Sequence, residues 1–347
     1  MSWLDLLKAD NLKLYWDNSK ASEEIYIGEA FFPNERQQGL EFSFIRGKDD
    51  APVALVSANF DTNVLYRDRM GVEELRGTLP FFKEALKVDE KLRQKLITTD
   101  PKFAQMLYDQ IFNDNMRLLK SARVTAERMR MQLLSTGTIT IQENGVDKQY
   151  DYGFAKSSQY KTLTKLWDAE GAKPLKDISE QLNAYKKLTG RAGKYIIMND
   201  AFFSEKVAGS AEVIDYFAKL PTPNLYPTDE EVKLALERKF GVTIVLVSGA
   251  YKKARDFNGK TEPFYPAGTF TIVSTLDLGK TLFGTTPEEI DLLGGVSKAS
   301  SVVVTEEGIA ITTWNEVDPV NVNTKVSEVV LPTCPNIDQI YIVKAVS

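Results

Sequence analysis

The stretch from Asp100 to Gly137 reads DPKFAQMLYDQIFNDNMRLLKSARVTAERMRMQLLSTG, and it sets the frame for everything around it. Asp100 is a good N-cap, and Pro101 suits the first helical position, where its missing N–H is no loss. Phe103, Met106, Leu107, Ile111, Leu118 and Ala122 then recur at helical spacing. Gly137 supplies a C-terminal stop. The spacing predicts one helix over 101–136, roughly 50 Å long at about 1.5 Å per residue. Acids (Asp109, Asp114) lie in its first half. Bases (Arg117, Lys120, Arg123, Arg128, Arg130) crowd the second half, the order that the helix dipole favours. A helix about three times the usual length acts as a spine.

Immediately after it, Thr138-Ile-Thr-Ile-Gln142 and Lys148-Gln-Tyr-Asp-Tyr152 flank Asn144-Gly145. Asn-Gly between alternating strands is the strongest short hairpin signal, so a hairpin is expected over 138–152. Upstream, Leu40–Ile45, Pro52–Val56 and Asn63–Tyr66 read as strands, with Arg67-Asp68-Arg69-Met70-Gly71 as a charged loop tip. A long two-stranded hairpin is unstable alone and needs a surface to lie on. At the start, Trp3, Leu4 and Leu7 share one face of a short amphipathic helix. Its apolar face packs on its own domain or on a neighbour.

Downstream, the pattern turns to mixed α/β. Helices are expected at Asp177–Lys186, from Asn199, and at Thr228–Glu237, the last with acids in its first turn. Tyr195–Met198, Val242–Val247 and Phe270–Val273 read as strands, with Asn258-Gly259 as a second hairpin turn. Beyond 300 the chain is mostly strand: Ser301–Val304, Ala310–Trp314, Val326–Leu331 and Ile340–Val343.

Composition narrows the chemistry. The chain has 347 residues, no histidine and one cysteine, Cys334. That removes the commonest general base, any Cys/His pair, a zinc cluster and a disulfide. A net charge of −5 argues against bulk polyanion binding, although a local basic strip can still meet nucleic acid. Gly279-Lys280-Thr281 has Ser274 where a phosphate loop needs glycine, and in Arg191-Ala-Gly193-Lys194 a tyrosine follows the lysine. Neither forms a nucleotide cradle. Asp49-Asp50, Asp229-Glu230-Glu231 and Glu306-Glu307 are the acid groups that a divalent cation would need. The first two read as a turn and a helix N-terminus, so no metal and no cofactor is expected. The start of the chain lacks a signal-peptide pattern, and no stretch approaches about 18 consecutive apolar residues, so no membrane partner is expected.

The order of these parts resembles the major capsid proteins of tailed phages, with the HK-ninety-seven-like fold, and within them the lambda-type phage major capsid protein E family. Ala51–Val56 through Leu79-Pro80-Phe81-Phe82-Lys83 is similar to the family's extended loop and its proline-containing return, and Arg69-Met70-Gly71 to its glycine-containing tip. Asp100–Gly137 resembles the spine helix. Trp167-Asp168 with Pro174–Ile178 resembles the entry to the axial domain, and Asn258-Gly259 with Phe264-Tyr265-Pro266 a hairpin late in it. The resemblance implies an α+β fold in five parts: an N-terminal arm (1–50), an extended loop (51–86), a peripheral domain (87–168), an axial domain (169–317), and return strands to the peripheral domain (318–347).

It further implies a structural protein, not an enzyme, that self-assembles through pentamers and hexamers into an icosahedral head shell around double-stranded DNA. A separate scaffolding protein and a portal are expected partners, and the sequence leaves open whether a decoration protein binds outside. The implied locations are the virion and, during assembly, the host cytoplasm. Contacts between subunits are expected at the loop tip, Arg67 to Gly71, and at arm residues Trp3, Leu4 and Leu7. The basic half of the long helix (Arg123, Arg128, Arg130) is either a dipole-matched solvated face or a surface near DNA. Two other classes stay open on sequence alone: an encapsulin-like nanocompartment shell, and a histidine-free carboxylate-metal hydrolase.

Overall fold

The computed structural model describes residues 7–19, 26–47, 72–143, 145–154, 158–219, 226–252, 260–294 and 301–346. The chain divides into two compact units. Unit 1 holds Met1–Ser43, Arg76–Glu127 and Lys280–Thr333; unit 2 holds Phe44–Leu75, Arg128–Gly279 and Cys334–Ser347. The chain passes from one unit to the other inside the long helix Pro101–Thr136, which has the bounds that the spacing predicts. Asp100 Oδ1 accepts from Lys102 N at 2.9 Å and opens this helix. Gly137 closes it at φ 72°, its N–H donating to Leu133 O at 2.9 Å. A Cβ at Gly137 would stand 2.4 Å from the Phe154 ring, so both the left-handed backbone and the close approach require glycine.

Unit 1 is built on the strand Val322–Thr333, twelve residues long. Its first half pairs antiparallel with Ala310–Asn315 and with Phe81–Val88; its second half pairs with Lys280–Phe283. Ser301–Val304 and the short Asn34–Arg36 extend the sheet on its two sides. Phe81–Leu86, expected at the end of the extended loop, is therefore part of a strand of this sheet, Phe81–Val88. Ala310–Asn315, expected in the axial domain, also belongs here. The return segment divides: Val322–Thr333 stays in unit 1, while Ile340–Lys344 joins unit 2. Register with distant partners decides this, and local pattern does not carry it.

The arm is sewn into the same unit. Ala9, Leu12 and Trp16, on the helix Ala9–Ser19, are buried against Leu119, Ala122 and Ile311. Phe31 and Phe32 are buried, and Thr281 Oγ1 donates to Phe32 O at 2.8 Å. The strands Glu41–Gly47 and Val72–Thr78 pair as a two-stranded sheet, closed at its base by Leu79 N donating to Leu40 O at 2.8 Å. Gly77 lies under the Phe42 ring; a Cβ there would meet it at 2.8 Å. These strands flank the greater part of the segment expected to form the extended loop. Its expected strands 52–56 and 63–66 fall outside the described residues.

Unit 2 holds a mixed five-stranded sheet. Tyr160–Thr162 runs parallel to Ile340–Lys344, which pairs antiparallel with Thr269–Val273; that strand pairs antiparallel with Tyr195–Asn199, which runs parallel to Thr243–Val247. The helices Pro174–Thr189 and Asp229–Phe240 cover it, the second with the complete capping box Thr228/Glu231. Asn199 caps the next turn, as expected, accepting from Phe202 N. Trp167 stacks on Phe202 and on Phe270, each at 5.4 Å between ring centroids. The hairpin Thr138–Glu143/Val146–Asp151 turns at Gly145, φ 77°. Among the described residues, no helix is long and apolar enough to cross a membrane.

Candidate assembly surfaces

The three arginines expected on an open face of the long helix are buried. Arg123 and Arg128 are each 8% exposed and Arg130 2%. In unit 1, Arg123 pairs with Glu29 at 3.4 Å, and its guanidinium lies over the Trp16 and Tyr26 rings at 6.0 and 5.6 Å. One turn on, Glu127 accepts from Gly28 N at 2.8 Å in a buried bond. A cation and an anion on successive turns of the helix thus hold the Tyr26–Phe31 segment against it. In unit 2, Arg128 pairs with Glu143 of the hairpin and lies over the Tyr251 ring at 5.9 Å. Tyr251 OH donates to Glu262 Oε2 at 3.0 Å; burial and that carboxylate push its hydroxyl up to about 12. These side chains face protein and offer little to a phosphate backbone. Burial decides this, because charge on a helix does not report which side the fold covers.

Leu7, expected between subunits, is 3% exposed and packs with Val88, Leu96, Ile111 and Val322 of its own unit. The contact is intramolecular because the arm has its own sheet and helix within reach. Trp3 and Leu4 lie outside the described residues, as do Arg67, Asp68, Arg69, Met70 and Gly71.

Other groups stand out instead. Ile97, on the helix Glu90–Thr98, is 78% exposed; Phe103 and Met106, at the start of the long helix, are 53% and 66% exposed. Phe103 and Met106 read as part of the packed stripe. Their spacing is right, but that stripe is continuously buried only further along the helix, at Ile111, Leu118 and Ala122. Large apolar side chains left exposed are candidates for contact with another molecule. Among the acid groups, Asp229-Glu230-Glu231 is a helix N-terminus with Glu231 used in capping.

A family described as phage major capsid protein E matches residues 18–345. Among curated proteins, none matches. Several solved structures share the fold. A prophage protein of Escherichia coli CFT073, named as a capsid protein, is 14% identical with TM-score 0.57, covering 98% of this chain and 99% of that one. A phage-related protein of Bordetella bronchiseptica RB50 is 12% identical with TM-score 0.57, covering 98% and 97%. The capsid asymmetric unit of cyanophage A-1(L) contains a chain 10% identical with TM-score 0.53, covering 93% of each.

Proposed function

We propose that this chain, which belongs to the phage major capsid protein E family, closes its shell through contacts made by the extended hairpin and by the start of the arm. It is a head-shell-forming capsid protein, and the observation that carries this is the family match along residues 18–345. The family is one of structural proteins of the virion capsid. Beyond that, the expected arrangement is copies gathered as pentamers and hexamers. The peripheral and axial domains would then meet around different symmetry axes.

In this reading the tip, Arg67, Asp68, Arg69, Met70 and Gly71, lies across the adjacent subunit. The paired stalk, Glu41–Gly47 with Val72–Thr78, supports this, since a two-stranded ribbon needs a surface beyond itself. Trp3 and Leu4 reach a neighbour, while the arm from Leu7 onward stays on its own unit. Ile97, Phe103 and Met106 add an apolar contact. Each contact is weak alone and gains by repetition. A separate scaffolding protein, a portal, a decoration protein and enclosed double-stranded DNA complete the reading, with assembly in the host cytoplasm.

Negative-stain electron microscopy of the purified protein, alone and co-expressed with neighbouring genes, tests it. Closed shells or hexameric tubes are expected. A small discrete particle under every condition overturns the reading. Arg67→Glu with Arg69→Glu should leave a folded monomer and abolish shells; normal particles from that variant would remove the tip from the contact.

A further inference from the structure

The loop that failed as a phosphate cradle has a different setting in the fold. Lys186-Lys-Leu-Thr-Gly-Arg-Ala-Gly-Lys194 contains no acid, and Lys186, Lys187, Arg191 and Lys194 are all exposed. The first two lie in the last turn of Pro174–Thr189, where the helix dipole accounts for them. Arg191 and Lys194 lie past the left-handed stop at Gly190 (φ 69°), so the dipole does not account for these two. Lys194 N donates to Val273 O at 2.9 Å and pins the loop to the sheet.

There, Arg191 and Lys194 border an open cleft of about 500 Å³, all of it within unit 2. Ser274, Thr275, Asn336 and Gln339 line the rest, with Asp277 as the carboxylate among them. Tyr185 OH donates to Gln339 O at 3.0 Å, and Ser274 Oγ donates to Gln339 Oε1 at 3.1 Å. With its oxygen occupied, the Gln339 amide keeps N–H donors for a ligand. A guanidinium, an ammonium, the Thr275 hydroxyl and amides around an open cleft form the donor set of an oxyanion site. The chain as a whole carries −5, so this local excess of cations runs against the background.

We infer that this cleft receives phosphodiester groups of packaged duplex DNA, through Arg191 and Lys194 and without reading bases. The inference rests on the head-shell reading, which brings DNA close to every copy. Repeated over a shell, such a contact is weak per copy, salt-sensitive and indifferent to sequence.

The test is fluorescence anisotropy of a labelled random-sequence duplex of about 20 base pairs, titrated with the purified chain at several salt concentrations. Shell formation by the same proteins is scored separately by electron microscopy. Wild-type protein should bind, more weakly as salt rises. Arg191→Glu with Lys194→Glu should lose about tenfold or more in affinity and lower the salt slope by about two, roughly one per cation removed, while shells still form. Lys148→Glu with Lys161→Glu, equal in charge change and placed elsewhere on unit 2, should bind as wild type. If the first pair fails to fold, Arg191→Gln with Lys194→Gln makes the same comparison. Wild-type protein that does not bind, or equal binding by the two charge-matched variants, overturns the inference. So does competition by inorganic phosphate at matched phosphate concentration, which would mark a free-anion site. Loss of shells only in the Arg191/Lys194 variant overturns it as well, because the cations would then meet a neighbouring copy. None of these outcomes touches the shell reading itself, which stands on wild-type particles.

Discussion

The two units solve burial differently. Unit 2 has an apolar, aromatic interior: Trp167 between Phe202 and Phe270, with Ile196, Met198 and Ile272 fully buried around it. Unit 1 buries charge and polarity along its sheet. Glu288 pairs with Lys325 at 2.5 Å and accepts from Ser327 at 2.9 Å, Asn323 and Thr324 are buried, and Arg123 and Glu127 grip the arm. A core of dispersion and area is strong and insensitive to solution conditions. A core of paired charges is conditional, because each member is stable only with its partner. The packing around the arm thus depends on ionisation.

That contrast breaks first at its strongest point. Trp167→Ala removes both ring stacks and should cost about 3–5 kcal/mol. Hydrogen exchange should rise in peptides spanning Thr269–Val273 and stay low in Val322–Thr333. Equal loss in both would mean that the units unfold together. Arg123→Ala leaves Glu29 without its cation and bares the Trp16 and Tyr26 faces; Glu29 is a quarter exposed, so about 2–3 kcal/mol is expected. Here the arm peptides should exchange faster and those of unit 2 should not.

Acid and base should act on different units. Burial pushes the Tyr265 hydroxyl up to about 12; Thr271 Oγ1, which accepts from it at 2.8 Å while donating to Leu134 O, offsets only part of this. Tyr265 therefore contributes stability that is complete below the usual 10.0 and is lost as pH rises towards 12. Denaturant midpoints of Tyr265→Phe should fall less than those of wild type across that window, a difference of roughly 2 kcal/mol.

For Glu288 the sign reverses. Burial raises its carboxyl, but hydrogen bonds from Lys325, its own backbone and Ser327 outweigh this and leave it below the usual 4.5. Its contribution is present above 4.5 and disappears as pH falls through the lowered value. Glu288→Gln should be less stable than wild type at neutral pH, and the two should converge in acid.

The smallest effect concerns Asp177. Burial lifts its carboxyl, although Trp167 Nε1 donates to it at 2.9 Å. A raised carboxyl opposes stability once ionised, so Asp177→Asn should change the neutral-pH midpoint by less than about 1 kcal/mol, towards stability.

Local chemistry was legible from sequence wherever the cause was local. Asp100, Pro101 and Gly137 bound the long helix because caps act on adjacent backbone groups. Asn144-Gly145 set a hairpin because its turn needs positive φ. Thr228 and Glu231 close a capping box within one turn. The order of these elements carried the family. What depended on distant partners was not legible. Phe81–Val88 looked like the return of a loop until it paired with Val322–Val329, and the last strands divided between two sheets. Arg123, Arg128 and Arg130 looked like an open basic face until Glu29, Glu143 and the rings of Trp16, Tyr26 and Tyr251 were placed around them. Propensity and capping are properties of neighbouring residues, so the sequence determines them by itself. Burial and strand register are settled by residues outside the local window, many of them about a hundred positions or more away, and only the tertiary structure brings those together.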